Sequence, residues 1–251
     1  MDLHPLIQGF ADVAEAYERG RPGYPATAIA AIGLPAGARV VDVGAGTGKL
    51  TRALRDAGLD VVAVEPVDGM RARLAAGLPE VEALAGTAEA LPLPDGSVDA
   101  VATGEAFHWF DPEPAAREFA RVTRPGGIVA VLWNTPLADV RTPWGPELSA
   151  MLAAVRPAHP GHDEEDGAHQ AAFDAADLFT PLEPRDFANA FTTDRAGLLA
   201  HLASLSYVGV LPEPERAELL ARADALLREH GVETVDLPLT TRLYTARRRE
   251  A

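Results

Sequence analysis

The sequence contains no cysteine and a single lysine, Lys49, among its 251 residues. Without thiols the chain cannot form disulfides, a thiolate nucleophile, a cysteine-ligated zinc site or an iron–sulfur cluster. A Schiff-base mechanism would depend on Lys49 alone. No apolar run approaches the about 18 residues that span a membrane, and no basic region followed by an apolar stretch marks a secretory signal. We therefore expect a soluble cytoplasmic protein.

Basic residues are few, at 22 against 37 acidic ones, so the formal net charge is −15. Phosphate backbones and anionic membranes are bound mainly by Lys and Arg, so we expect neither nucleic acid nor membrane as a partner. Hydrophobic residues make up 47% of the chain and charged residues 24%, as in soluble globular proteins. The length fits one large α/β domain, and we expect a monomer or a homodimer.

Short apolar runs alternate with amphipathic stretches along most of the chain. This alternation predicts five parallel strands at 40–43, 61–65, 81–85, 98–103 and 128–133, with two closing strands at 185–192 and 237–246. Helices are predicted at 50–56, 68–76, 115–122, 144–155, 195–205 and 213–229. The predicted fold class is α/β: a doubly wound, Rossmann-like, seven-stranded mixed sheet with helices on both faces and a helical cap.

We interpret the chain as one domain, residues 1–251, with four parts. These are an N-terminal helical lid (1–34), a cofactor-binding core (35–135), a cap insertion (136–180) and a C-terminal part with helices and the closing strands (181–251). Ligands of such sheets bind at the carboxyl ends of the parallel strands. The candidate site residues of the core follow those strand ends.

A glycine-rich loop, Gly44–Gly48, joins the first predicted strand to a helix and predicts a nucleotide-like ligand. A phosphate-binding P-loop needs glycine six residues before Lys49 and Ser or Thr after it, but Val43 and Leu50 stand there. The dinucleotide fingerprint also fails, because its third glycine falls on Lys49. S-adenosylmethionine, which has no phosphate, is the remaining candidate.

Two acidic residues lie beside this loop. Glu65 ends the second predicted strand and can accept hydrogen bonds from both ribose hydroxyls. Asp42 lies inside the first strand, where an isolated buried carboxylate is costly. We expect Asp42 to anchor the loop amides or a ligand ammonium group.

Four linked motifs carry a family resemblance over residues 38–133: Val40–Gly48, Val64-Glu65-Pro66 with Met70, Gly86–Pro92 and Arg124–Gly127. In this order they resemble the class I S-adenosylmethionine-dependent methyltransferases of the ubiquinone-biosynthesis, or type 11, kind. The resemblance implies that Glu65 holds the ribose, that Met70 packs on adenine, and that residues 87–89 meet the adenine edge. The candidate cofactor-binding residues are Tyr17, Arg21, Asp42, Gly44, Ala45, Gly46, Gly48, Glu65, Pro66, Met70, Thr87, Ala88, Glu89, Thr103 and Gly104.

The segment 103–111 follows the fourth predicted strand and, with 133–134 and 16–25, is similar to a subset that includes trans-aconitate methyltransferases. This similarity implies that Tyr17 and Arg21 close over the cofactor near its carboxylate and that His108 or Trp109 borders the acceptor. The candidate substrate residues are Tyr24, Glu105, His108, Trp109 and Trp133. Purely structural roles remain open for several of these side chains. His108 can serve as a hydrogen-bonded turn residue, Phe107 and Phe110 can pack a lid, and Arg21 can be a solvated helix residue.

Methyl transfer from a sulfonium needs little more than alignment of the nucleophile and exclusion of water. A carboxylate acceptor needs no base, whereas a phenol, alcohol or amine does, and His108 is the predicted catalytic residue. We expect that the protein methylates an oxygen atom of a small molecule, a carboxylate, phenol or alcohol, in bacterial secondary metabolism. Two alternatives stay open: a protein that binds the cofactor without methyl transfer, such as a regulator or a cyclase, and a nicotinamide-dependent oxidoreductase.

Histidines at 159, 162 and 169, together with Asp163, have side chains that suit zinc or iron. Two of these histidines flank a Pro-Gly pair with no sign of rigid support. We interpret the stretch as a solvated acidic loop and predict no metal.

Overall fold

The computed structural model describes residues 20–134, 142–156 and 168–250. Tyr17 and the stretch His159–Asp163 lie outside the described residues. No helix in the described ranges is long and apolar enough to cross a membrane.

A seven-stranded mixed sheet forms the centre of the fold, as predicted. The strands are β1 (Arg39–Val43), β2 (Asp60–Val64), β3 (Glu82–Leu84), β4 (Val98–Gly104), β5 (Thr123–Asn134), β6 (Glu183–Asp194) and β7 (Thr234–Arg247). Their order is β3-β2-β1-β4-β5-β7-β6. The first five strands pair in parallel, whereas β7 pairs antiparallel with both β5 and β6.

Nine helices lie in the described ranges; the helices predicted at 50–56, 68–76, 115–122, 144–155, 195–205 and 213–229 are present with ends shifted by at most three residues, and the other three had no predicted bounds. The nine helices are α1 (Ala26–Ala30), α2 (Lys49–Asp56), α3 (Asp68–Gly77), α4 (Pro112–Val122), α5 (Gly145–Val155), α6 (Ala168–Ala176), α7 (Arg195–Ala203), α8 (Ser206–Gly209) and α9 (Glu213–Glu229). A 3-10 turn, Phe107–Trp109, precedes α4. The predicted pattern of strands and helices in the core is therefore present.

Successive residues of the central strands point to opposite faces of the sheet. Val41 and Val43 pack in one cluster with residues of α4 and α6, while Val40 packs in another with residues of α1 and α2. Both faces are buried, which explains the continuous apolar runs of the parallel strands.

The predicted cap stretch supplies two helices that pack in different places. Trp144, just before α5, and Leu148 in α5 belong to an apolar cluster with residues of α7 and α9. α6 packs on α4 instead, and its Phe173 stacks on Phe107 with ring centroids 5.7 Å apart. The helix at 168–176 is thus part of the layer that covers the sheet.

Residues 124–127, where a turn was predicted, lie inside β5 and form an irregular stretch of it. Thr123 pairs with Val98 and Ile128 pairs with Ala100, so β5 has extra residues between these two pairs. Gly126 has a φ of 74°, which favours glycine. The structural role expected for this segment stays a prediction.

Candidate functional site

The strand order reverses at β1, which has β2 on one side and β4 on the other. In open α/β sheets the loops after two such strands diverge and leave a crevice at the carboxyl edge. The described candidate residues between positions 42 and 133 belong to strand ends, to the loops that follow them, or, for Met70, His108 and Trp109, to the first turns of helix after those loops. The topology therefore brings them to one side of the molecule.

The glycine loop after β1 closely approaches the segment after β4. Gly44, Gly46 and Gly48 all have positive φ, at 69°, 58° and 91°. A β-carbon at Gly44 would lie 2.7 Å from the Cβ of Ala106. The Gly44 amide donates to the Val64 carbonyl at 2.9 Å, which holds the loop against the end of β2. Glycine is required here by both backbone conformation and space.

Glu65 lies directly after β2 and is buried. Its Oε2 accepts a hydrogen bond from the Gly46 amide at 2.8 Å, and its Oε1 accepts one from the Val67 amide at 2.9 Å. Burial raises the pKa of Glu65, although these two amide bonds and the charge of Arg71 oppose the rise. The side chain predicted to hold the ribose therefore also orders the glycine loop.

Asp42 is completely buried beneath the same loop. Its Oδ2 accepts a hydrogen bond from Thr51 Oγ1 at 2.6 Å, and its Oδ1 has no hydrogen-bond partner within the described part of the chain. Burial raises the pKa of Asp42 to about 7, and the nearby Glu65 carboxyl adds to the rise. The prediction that Asp42 anchors the loop amides differs from what the structure shows for Gly46, whose amide is bound by Glu65.

The residues predicted to surround adenine follow β2 and β3. Met70 and Ala88 are buried, while Pro66, Thr87 and Glu89 are half-buried. Glu89 Oε1 accepts a hydrogen bond from the Asp111 amide at 2.8 Å, so this loop is joined to the start of α4.

The segment after β4 has an unusual backbone. Thr103 is buried and its Oγ1 has no partner among the described residues. Glu105 has a φ of 56°, a conformation that is uncommon for residues other than glycine and often marks functional sites. The Glu105 amide donates to the Leu132 carbonyl at 2.9 Å, and its carboxylate accepts from the Asn134 amide. Glu105, a predicted substrate residue, therefore joins the ends of β4 and β5.

The aromatic residues of this segment divide into buried and half-buried ones. Phe107 is buried against Phe119 and Phe173, whereas His108 and Trp109 are half-buried with ring centroids 5.0 Å apart. Trp133 is also buried, edge-on to Tyr244 at 5.7 Å. Of the predicted substrate residues near the sheet edge, Trp133 packs in the core, while His108 and Trp109 keep exposed surface.

The described part of the N-terminal segment lies partly at the crevice and partly on α7. A β-carbon at Gly104 would lie 2.8 Å from Tyr24 Cζ and 3.2 Å from Leu50 Cδ2, so the Tyr24 ring packs directly at the end of β4. Arg21 donates from Nε to Ser204 Oγ and from Nη2 to the Ser204 carbonyl, both at 3.0 Å. The structure therefore brings Tyr24 to the site and binds Arg21 to the residue after α7.

Sequence reasoning gave no role to three polar residues on the other side of the sheet edge, although Asn134 belongs to a stretch quoted for the subset resemblance. Asn134 ends β5, Asn189 lies in β6 and Thr241 in β7, and their side chains hydrogen-bond to one another at 2.5–3.0 Å. Asn189 also donates to the Gly23 carbonyl at 3.0 Å. No local motif marks Asn189 or Thr241, since each is one polar residue in an alternating strand.

Metal binding has no support in the described ranges, where no group of three or more His, Asp or Glu side chains could hold an ion. The predicted histidine loop at 159–163 lies outside those ranges.

Comparison with known proteins agrees with this geometry. Residues 41–131 match a family model described as a methyltransferase domain. An uncharacterized methyltransferase of Mycobacterium tuberculosis is 43% identical over 224 residues, which cover 88% of this chain and 86% of the relative. A demethylmenaquinone methyltransferase of Renibacterium salmoninarum is 38% identical over 130 residues, covering 51% and 55% of the two chains.

A solved structure from Anaeromyxobacter dehalogenans, assigned as a type II methyltransferase, superposes with a TM-score of 0.65 at 26% identity. The match covers 91% of this chain and 97% of that one. The chain therefore belongs to the class I S-adenosylmethionine-dependent methyltransferase family. The family and fold predicted from the sequence are confirmed, and the narrower trans-aconitate-like subset stays a prediction.

Proposed function

We propose that this methyltransferase binds S-adenosylmethionine in the crevice between β1 and β4 and transfers its methyl group to an oxygen of a small-molecule acceptor. The observation that carries the proposal is Glu65, a buried carboxylate at the end of β2 that also holds the Gly46 amide at 2.8 Å. One side chain thus couples the glycine loop to the position from which a ribose diol is bound in related folds.

The chemistry of the site fits this cofactor. S-adenosylmethionine has a sulfonium, an ammonium group and ribose hydroxyls, so it offers positive charge and hydrogen-bond donors. The crevice offers two buried carboxyl groups, Asp42 and Glu65, and an acceptor atom on Asp42 with no partner in the described chain. Burial destabilises the charged form of both groups, and a nearby cation would stabilise it.

The bound cofactor supplies an electrophilic methyl group, and the chain supplies alignment and exclusion of water. Gly44 and Gly104 bring backbone close to neighbouring side chains on both sides of the crevice. Tyr24 covers the end of β4, and Phe107 packs the 3-10 turn against the core. These contacts hold the turn that presents His108 and Trp109 at the edge of the site.

His108 is the residue that we assign to the acceptor. It is half-buried in the 3-10 turn after β4, close to the Trp109 ring. A neutral imidazole there can accept the proton of a phenol or an alcohol as the new carbon–oxygen bond forms. With a carboxylate acceptor no proton is removed, and His108 would only orient the acceptor.

The test combines calorimetry of S-adenosylmethionine and S-adenosylhomocysteine with detection of S-adenosylhomocysteine formed from a panel of acceptors. The panel contains phenols, alcohols, carboxylic acids and demethylmenaquinone, the last because a relative is named for it. Micromolar binding and product formation with an oxygen acceptor would support the proposal. Binding without product from any acceptor would favour the non-transferring alternative, and no binding of either ligand would overturn the proposal.

With an active acceptor of phenol or alcohol type, His108→Ala is expected to lower kcat by about 100-fold, the usual range for loss of a general base. His230→Ala is the matched control, because His230 is exposed at the end of α9. An unchanged kcat in His108→Ala would exclude the base role.

A further inference from the structure

The segment 20–25, which we call the N-terminal strap, is fixed at its first residues by α7. His201 is buried, and its Nδ1 lies 2.8 Å from the Gly20 carbonyl oxygen. A side chain at Gly20 would overlap the backbone of His201, so the two backbones are in direct contact. Arg21 adds its two hydrogen bonds to Ser204.

A second anchor lies further along the strap, at Gly23. The Gly23 carbonyl accepts a hydrogen bond from Asn189 Nδ2 at 3.0 Å and a longer one from Asn134 Nδ2 at 3.4 Å. Thr241, which is fully buried, donates to Asn134 Oδ1 at 2.5 Å and lies 3.0 Å from Asn189 Nδ2. This anchor consists of neutral groups from three strands.

The residue after the second anchor is Tyr24, whose ring packs on Gly104 and approaches Leu50. Leu50 lies near the N-terminus of α2, and Gly104 is the last residue of β4. Tyr24 therefore lies at the mouth of the crevice. A fixed Gly23 carbonyl leaves Tyr24 few alternative positions. The edge strand β6 is thereby connected to the cofactor end of β4, although β7 and β5 separate the two strands.

We propose that Asn189 is a positioning residue that holds the Gly23 carbonyl, keeps Tyr24 against Gly104, and in this way sets the affinity for the cofactor. The first part, the position of Tyr24, rests on these contacts alone. The second part rests on the function proposed above. Thr241 supports the same anchor through Asn134.

The position of Tyr24 can be measured without any ligand. The chain contains four tyrosines, so incorporation of 3-fluorotyrosine gives a simple fluorine NMR spectrum, and Tyr24→Phe assigns the Tyr24 signal. In Asn189→Ala we expect that signal to move toward the position of free 3-fluorotyrosine and to narrow. Thr241→Val, which changes little in volume, should cause a smaller change in the same direction.

The matched control is Thr192→Val. Thr192 donates to Asp236 at 2.6 Å across the same two strands, β6 and β7, and this hydrogen bond does not involve the strap. Its substitution should leave the Tyr24 signal in place. An unchanged Tyr24 signal in both Asn189→Ala and Thr241→Val would overturn the proposal.

Calorimetry with S-adenosylhomocysteine tests the second part through a double-mutant cycle. Asn189→Ala alone is expected to weaken binding by about tenfold, as for loss of a hydrogen bond that orders a binding residue. If Asn189 acts through Tyr24, the double variant Tyr24→Ala/Asn189→Ala should bind no more weakly than Tyr24→Ala alone. Additive losses would overturn this part. Failure of the wild type to bind would instead overturn the proposed function, and the fluorine experiment would still decide the first part.

Discussion

The two sides of the crevice are held together by different chemistry. On the cofactor side, around β1 and β2, buried carboxyl groups bind the loop amide and hydroxyl that lie next to them. On the strap side, neutral side chains of β5, β6 and α7 contact backbone carbonyls of the strap, and the Arg21 guanidinium binds Ser204. The partners on the first side are 9 and 19 residues apart in the chain, whereas Asn189–Gly23 and His201–Gly20 are 166 and 181 residues apart. Short sequence motifs therefore indicate the contacts on the cofactor side, whereas the contacts on the strap side depend on how distant elements pack.

The two sides also respond to pH in opposite ways. Burial raises the pKa of Asp42 to about 7 and lowers that of His201 to about 3. Both shifts favour the neutral form, but a neutral carboxyl group is favoured by acid and a neutral imidazole by base. Acid should therefore weaken the strap anchor at α7 while it relieves the buried charge beneath the glycine loop.

The largest effect is expected from Glu65→Ala, which removes the predicted ribose acceptor and the partner of the Gly46 amide. Affinity for S-adenosylhomocysteine should fall by at least about 100-fold, or about 3 kcal/mol, since charge-assisted hydrogen bonds are lost on both counts. Glu65→Gln, which keeps an acceptor oxygen, should lose less. Calorimetry measures the affinity of both variants. The control is Glu82→Ala, because Glu82 is the exposed residue of β3. Equal affinity of Glu65→Ala and the wild type would show that Glu65 does not bind the cofactor, and the cofactor side would then lie elsewhere.

Asp42→Asn should change how stability depends on pH. The pKa of Asp42 is about 7 in the folded state and 3.8 ordinarily, so its contribution to stability is present below pH 3.8 and is lost as the pH rises through 7. Compared with the Asn variant, the wild type should lose about 2 kcal/mol of unfolding free energy between pH 5 and pH 8. Urea unfolding at several pH values measures this difference. Parallel curves for the two proteins would show that Asp42 is not protonated in the fold.

A smaller effect of opposite sign is expected from His201. Burial and the charge of Arg21 lower its pKa, and the hydrogen bond with Gly20 only partly opposes them. The folded pKa of about 3 lies below the ordinary 6.5, so this histidine's contribution is present above pH 6.5 and is lost as the pH falls below it. Relative to His201→Gln, the wild type should lose about 1 kcal/mol between pH 7.5 and pH 5.5. His230→Gln is the control. A loss of unfolding free energy at high pH in place of low pH would contradict the lowered pKa of His201.

The prediction of the core succeeded because its signals are local. The run Val61–Val64 is apolar, and Val40–Val43 is apolar except for Asp42, as is typical of strands buried on both faces, and the glycines after β1 have positive φ. Glu65 follows β2 directly, so its place at the carboxyl edge follows from the topology. Asp42 was predicted to bind the loop amides, but in the structure Glu65 binds the Gly46 amide. Both carboxyl groups lie near the loop, and sequence spacing alone does not say which of them reaches that amide.

The burial of the predicted substrate residues could not be read from the sequence, because it depends on helices and strands from elsewhere in the chain. From the sequence, Trp133 and Phe107 fit a pocket or the core equally well. In the structure Tyr244 packs on Trp133 and Phe173 packs on Phe107. Glu105 was expected at the substrate, and the structure shows it binding the Asn134 amide from a left-handed backbone position. A positive φ at a residue other than glycine has no signature in composition or periodicity.

The sequence by itself determined the family and the sheet, and it placed the glycine loop and Glu65 at one edge of that sheet, because each of these rests on local patterns of residues. Only the tertiary structure decided which side chains hold the strap and which aromatic residues stay accessible to an acceptor. The physical reason is that a hydrogen bond such as Asn189–Gly23 forms only after β6 pairs with β7 and β7 with β5. Such a contact is a product of packing, and no local pattern of residues encodes it.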